Sequence, residues 1–186
     1  MLLYIIVIAA VNILTALINW LAEGAAFPHL FIWLARTAAA TVAVILLDGI
    51  GAFLIRRLPE KMFAPVKAVF DVGKAERRFY RKIRVNSWSD KVPELGGFTD
   101  FHKDRFESPS DTRYLARFLL ESNYGAVIHL ENTLSGIALI FVPPFGGLGV
   151  TLPVAVTNLV LSMLPFFILR NNTPPLLALY RRSLRK

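Results

Sequence analysis

The chain of 186 residues contains no cysteine, and that absence excludes disulfides, thiolate nucleophiles and cysteine-ligated metal sites together. Histidine is scarce as well. The three present, His29, His102 and His129, read as belonging to an outer connection, a polar loop and an apolar helix, so no metal site is expected. No G-x-S-x-G elbow, P-loop, H-E-x-x-H or H-x-x-x-x-D sequence occurs, which removes the commonest local signatures of catalysis. Basic residues are missing from long stretches: of 21 Lys and Arg, 15 lie between Arg56 and Arg117 and five between Arg170 and Lys186, leaving Arg36 alone elsewhere.

What the chain has instead is apolar length. It is 55% hydrophobic, with a mean hydropathy of +0.52. Residues 1–21, 30–55, 115–142 and 148–169 are each long enough to cross a hydrocarbon core of about 30 Å at about 1.5 Å per residue. The first stretch has no Lys or Arg ahead of its apolar core, which outruns a typical signal-peptide core, so it reads as a retained span. By the positive-inside rule the basic central segment and the basic tail face the cytoplasm. The expected fold is an all-α integral membrane protein of four transmembrane helices in two hairpins, with an amphipathic cytoplasmic segment between them. Residues 1–55 form the first hairpin, 56–110 the basic interfacial segment, 111–170 the second hairpin and 171–186 a basic interfacial tail. The protein is expected to be multi-pass in a cell inner membrane, with both termini cytoplasmic.

A formal net charge of +8 raises nucleic acid as a partner, because clustered cations are the footprint of phosphate-backbone binding. Nine acidic residues interleave with the 15 basic ones of the central segment, however. No nucleic acid is expected, and anionic lipid or an anionic soluble substrate fits better. In KAVFDVGKAERRFYRKIRV, Phe70, Phe79, Tyr80, Ile83 and Val85 alternate with cations, the composition of an element lying in the headgroup layer. Residues 175–186 have the same character. A solvated basic surface that only sets topology is the competing reading of both.

Ser108, Pro109 and Asp111 read as the start of a long helix, as cap, first-turn proline and first-turn acid. On that helix, at about 100° per residue from Glu121, Asn132 falls near 20°, Gly125 near 40°, Gly136 near 60° and His129 near 80°. One face is therefore polar and small for four turns, and it must turn inward or toward a wet cleft. Glu131 falls near 280°, off this face, and reads as a separate structural polar residue. Asn12, Asn19 and Asn158 on the other spans read as helix-packing residues.

Glu121 and His129 are compatible with general-base chemistry, the imidazole accepting a hydroxyl proton and a carboxylate orienting it. Their separation of about 12 Å along the helix makes water or substrate the link between them. A structural buried histidine fits the same residues. A non-enzymatic lipid-binding or scaffolding subunit is the alternative from another class, its stripe serving helix association and its basic segment anionic lipid.

From about Asp48 onward the chain resembles the glycosyl-4,4'-diaponeurosporenoate acyltransferase family, membrane enzymes of staphyloxanthin-type carotenoid glycolipid synthesis. The likeness is carried by Leu58, Pro59, Glu60, Lys61 and Phe63, by the aromatic-basic run to Tyr80, and by Trp88, Lys91, Pro93 and Gly96. It continues through Glu121 and His129, eight apart, to Pro165, Arg170, Asn172, Pro174 and Leu176. The resemblance implies transfer of a fatty acyl group from a thioester donor to a sugar hydroxyl of a polyisoprenoid glycolipid at the cytoplasmic leaflet. Acyl-CoA or an acyl carrier thioester would be the co-substrate, with no bound cofactor. It makes His129 and Glu121 the catalytic pair, with Trp88, Lys91 and Asn172 shaping the site. Lys91, the Trp88 N–H or Asn132 would then stabilise the oxyanion, and Arg77, Arg78, Arg81, Lys82, Lys103 and Arg105 would hold donor phosphates or lipid headgroups. Gly125, Ala126 and Val127 depart from the charged residues the family carries before its histidine. An acyltransferase for a different cell-envelope glycolipid remains a further reading of the same residues.

Overall fold

The computed structural model describes residues 2–92, 111–142, 145 and 147–185. Among these the chain is helical with no strand: α1 Leu2–Ala22, α2 Phe27–Arg56, α3 Lys74–Lys82, α4 Val85–Trp88, α5 Thr112–Leu139 and α6 Leu148–Ser183, with single 3-10 turns at Glu60–Met62, Ala68–Phe70 and Ser89–Lys91. Three helices, α1, α2 and α6, are long and apolar enough to cross a membrane. The expected third span, α5, has the length at 28 residues but is not among them. Arg113, Arg117, Glu121, His129 and Glu131 lower its hydropathy, which is the polar stripe seen from the side of composition.

Two boundaries differ from expectation. The N-cap of α5 is Asp111: its carboxylate accepts the backbone N–H groups of Arg113 at 2.8 Å and Tyr114 at 3.4 Å, and its carbonyl takes the first helical bond from Leu115. Ser108 and Pro109 lie outside the described residues. At the other end, the tail expected as a separate interfacial element continues α6 without a break through Pro174 and Pro175 to Ser183. Each proline removes a backbone donor, but Leu176 and Leu177 beyond them pack in a buried cluster with Phe118 and Leu119 of α5. Burying two leucines, worth about 1.5–3 kcal/mol each, offsets the lost bonds.

The chain divides into two compact units, Met1–Phe53 with Leu130–Met163, and Leu54–His129 with Leu164–Lys186. In the first, Ala40 and Val44 of α2 pack with Leu139 of α5 and Val150 and Val154 of α6. Gly24, at φ +92°, makes the turn between α1 and α2, where Trp20 Nε1 donates to the Ala26 carbonyl at 2.9 Å and Trp33 Nε1 to Glu23 at 2.8 Å. The three asparagines expected to join helices do so. Thr41 donates to Asn12 Oδ1 at 2.9 Å, and Asn158 Nδ2 donates to the Asn132 carbonyl at 2.7 Å and reaches Asp48 at 3.5 Å. Ser135 also donates to Asp48. Gly51 lets α2 approach the Glu131 carboxylate so closely that a Cβ there would lie 2.1 Å from Oε2.

Asn19 answers a specific vacancy. Pro153 has no N–H, so the carbonyl of Gly149, four residues earlier in α6, lacks its helical donor; Asn19 Nδ2 of α1 supplies one at 3.0 Å. Replacing Asn19 with alanine is expected to lower the unfolding free energy by about 1 kcal/mol in detergent micelles. Pro153→Ala, which restores the backbone donor, should make the Asn19→Ala change nearly silent, and equal effects in both backgrounds would remove the pairing.

Candidate functional site

In the second unit, the end of α2 and the segment after it are fastened to α5 by Glu121, Asn123 and Tyr124. Glu121 is 1% exposed; its Oε2 lies 2.6 Å from Arg56 Nη1 and its Oε1 2.8 Å from Arg117 Nη2. Asn123 Nδ2 donates to the Phe63 carbonyl and the Tyr124 hydroxyl to the Leu58 carbonyl, both at 2.9 Å. The Tyr124 ring stacks on Phe63 with centroids 3.9 Å apart, and the Arg56 guanidinium lies 5.0 Å from its centroid. A carboxylate this deep is tolerated because a cation meets each oxygen. Arg117, half-exposed, also reaches Glu60 at 3.5 Å, so the cluster opens to water through that arginine. Gly125 is buried between Glu121 and His129, and His129 is half-buried two turns beyond Glu121, about 12 Å along the axis.

A second set of charges organises α3. Arg170 of α6 donates through Nε and Nη2 to the two oxygens of Glu76, both at 2.8 Å, through Nη1 to the Phe70 carbonyl at 2.7 Å, and through Nη2 to the Asp71 carbonyl at 3.2 Å. The fork geometry of a guanidinium fits this task, and an ammonium would not. Tyr80 donates its hydroxyl to Glu76 at 2.5 Å, and its ring packs in a cluster with Val72, Val85, Trp88 and Phe167. Burial pushes the Tyr80 hydroxyl above the ordinary phenol range, and the adjacent Glu76 carboxylate pushes it further. For Glu76 burial acts upward, but the hydrogen bonds from Arg170 and Tyr80 and the Arg170 charge together hold the carboxyl below its ordinary value of 4.5.

Between α3 and α6 lies a cleft of about 620 Å³. Lys74, Arg77, Arg78 and Arg81 line one wall and Asn171, Pro174 and Pro175 the other, with Val72 and Tyr80 also lining it. Asn171 Nδ2 donates to Asn86 Oδ1 at 2.7 Å.

The expected site residues therefore fall in several surroundings. Glu121 is held in its arginine clamp. Trp88 is half-buried and already donates Nε1 to the Ile83 carbonyl at 2.9 Å, so an oxyanion would compete with that bond. Lys91, Asn172 and Lys82 are exposed, and Arg81 lines the basic cleft. Asn132 belongs to the other unit, where its carbonyl accepts from Asn158 and Ser135. Lys103 and Arg105 lie outside the described residues. Sequence reasoning did not find the roles of Arg56, Arg117 and Arg170, which it counted only as topological charge or family likeness. The i, i+4 spacing of Arg117 and Glu121 is a readable signal; the partners of Arg56 and Arg170 are 65 and 94 residues distant. Because the Glu76 carboxyl is depressed in the folded protein, its contribution to stability is complete above pH 4.5 and is lost as pH falls through the lowered folded value. Thermal unfolding followed on acidification should fall more steeply for wild type than for Glu76→Gln; parallel curves would exclude the linkage.

A family model described as glycosyl-4,4'-diaponeurosporenoate acyltransferase matches residues 59–182, from the turn after α2 to the last turn of α6. No curated protein and no solved structure matches the chain. The matched region covers two thirds of the sequence and includes Glu121 and Arg117, the Arg170 network and His129, and on that extent the chain belongs to the glycosyl-4,4'-diaponeurosporenoate acyltransferase family.

Proposed function

We propose that the protein transfers a fatty acyl group from a thioester donor to a sugar hydroxyl of a carotenoid glycolipid at the cytoplasmic leaflet. The observation that carries this reading is the family match over residues 59–182. In the proposal all four long helices span an inner membrane as two hairpins, with the basic segments and both termini cytoplasmic, an orientation the distribution of Lys and Arg favours. α5 spans despite its polarity because its stripe faces protein and substrate instead of lipid.

His129 acts as the general base. It takes the proton of the attacking sugar hydroxyl as the oxygen adds to the thioester carbonyl, and returns it to the departing sulfur when the C–S bond breaks, leaving an ester and a free thiol. A chain without cysteine or a serine elbow suits this direct transfer better than an acyl-enzyme. Glu121 contributes through charge and position, since its oxygens are engaged by Arg56 and Arg117. Lys91, exposed beside the α4 turn, is the cation assigned to the developing oxyanion; Trp88 and Asn172 shape the surrounding surface.

The test is mass spectrometry of lipid extracts from cells supplied with the carotenoid glycolipid and expressing wild type or His129→Ala at matched membrane levels. Wild type should yield the glycolipid with an added fatty-acyl mass, and His129→Ala should reduce that product by about 10²-fold or more. Equal product in both would remove His129 from the chemistry. No acylated product in either, with donor and acceptor present, would leave the non-enzymatic lipid-binding reading.

A further inference from the structure

The cations of α3 are arranged in a way that is unfavourable for an isolated helix. Lys74, Arg77, Arg78 and Arg81 stand at i, i+3, i+4 and i+7, so every neighbouring pair on that face is a destabilising like-charge pair. Lys74 is also the first residue of the helix, at the positive end of its dipole. Solvated cations relieve such repulsion by splaying apart over a convex surface. These four instead line the same concave cleft.

The helix carries one acid that could neutralise them, Glu76, and it is taken up by Arg170 and Tyr80. Among the described residues no ion pair joins Lys74, Arg77, Arg78 or Arg81 to a carboxylate. Arg77 Nε is partly engaged by the Val72 carbonyl at 3.0 Å, which orients its guanidinium without discharging it. The opposite wall carries Asn171 along with its two prolines. Pro174 and Pro175 lack N–H groups, so the carbonyls of Arg170 and Asn171 lose their usual i+4 donors. At about 620 Å³ the space is within the range of small-molecule pockets.

We propose that this cleft is a phosphate-ester binding site. Its four cations bind a ligand bearing two or more phosphate charges, with Asn171 of the opposite wall beside them. Resting on the acyl-transfer reading, the ligand is the phosphorylated handle of the thioester donor, which would place the donor against α3 and α6. The same phosphate chemistry is offered by an anionic lipid headgroup, and the experiment separates the two sources.

The full chain is reconstituted in nanodiscs of phosphatidylcholine and titrated with adenosine 3',5'-bisphosphate, binding being read by calorimetry and by the shift in unfolding temperature. Wild type and His129→Ala should bind alike, since the cleft does not include the proposed base. Arg78→Gln/Arg81→Gln should weaken binding by about tenfold or more. Arg181→Gln/Arg182→Gln, which removes the same charge from the exposed end of α6, should leave it unchanged. If the nucleotide does not bind but discs containing phosphatidylglycerol stabilise wild type and the tail variant more than the cleft variant, the phosphate belongs to a lipid headgroup and the site stands. Equal weakening by both variant pairs, or no response to either probe, overturns the site. Nucleotide binding that persists in a protein giving no acylated lipid would instead sink the acyl-transfer reading and leave the site.

Discussion

A polar group placed on an apolar helix must find its partner inside the protein, and most of what is specific in this structure follows from that constraint. In the first unit the side chains of Asn12, Asn19 and Asn158 each contact another helix, so otherwise interchangeable apolar surfaces acquire a defined register. Asn19 is the clearest case, because its amide completes a backbone bond that Pro153 leaves open. In the second unit the same constraint acts on charge: Glu121 is acceptable at 1% exposure only with Arg56 and Arg117 on its oxygens. Breaking such a cluster by removing one member leaves an uncompensated ion, which is why these interactions fix geometry more strongly than their net stabilisation suggests.

The helices were legible in the sequence because apolar length and the scarcity of charge are local properties. The faces of α5 were less legible: Glu131, placed off the polar stripe by angle alone, lies against Gly51 of α2 in the first unit, while Glu121 and Gly125 belong to a stretch, 118–126, that is buried all round the helix. What escaped depended on distance in the chain. Nothing near Arg170 announces that it will bridge Glu76, Phe70 and Asp71. Its sequence signal is only that a cation ends an apolar run. The continuation of α6 through two prolines escaped for a related reason. Local propensity opposes it, and the burial of Leu176 and Leu177 beside Phe118 and Leu119, which favours it, is a tertiary effect.

The candidate site was read from residue types, and its arrangement was not legible in the sequence. His129 and Glu121 were singled out by being costly on an apolar helix, and that argument does not say how deeply either is buried. The structure divides them on exposure. Glu121 is sequestered with two arginines and belongs to the framework that joins the segment after α2 to α5, whereas His129 is half-buried on a continuous helix. The Glu121 carboxylate is committed to position, because each of its oxygens already meets a guanidinium, Arg56 at 2.6 Å and Arg117 at 2.8 Å. This difference in exposure and partners distinguishes the two residues within the candidate site.

The same reasoning explains why α3 can hold its cations facing one way. Left to itself, a nine-residue helix with like charges on one face would be marginal. Two attachments outside the cationic face stabilise it. Tyr80 is buried with Val72 and Phe167, and Glu76 is gripped by Arg170. Glu76 and Tyr80 leave the helix at other angles than the four cations, although Tyr80 and Val72 also line the cleft, so the groups that order α3 are distinct from the charges it presents. A bound polyanion would then add to stability without reorganising the helix, because its recognition surface is assembled before the ligand arrives.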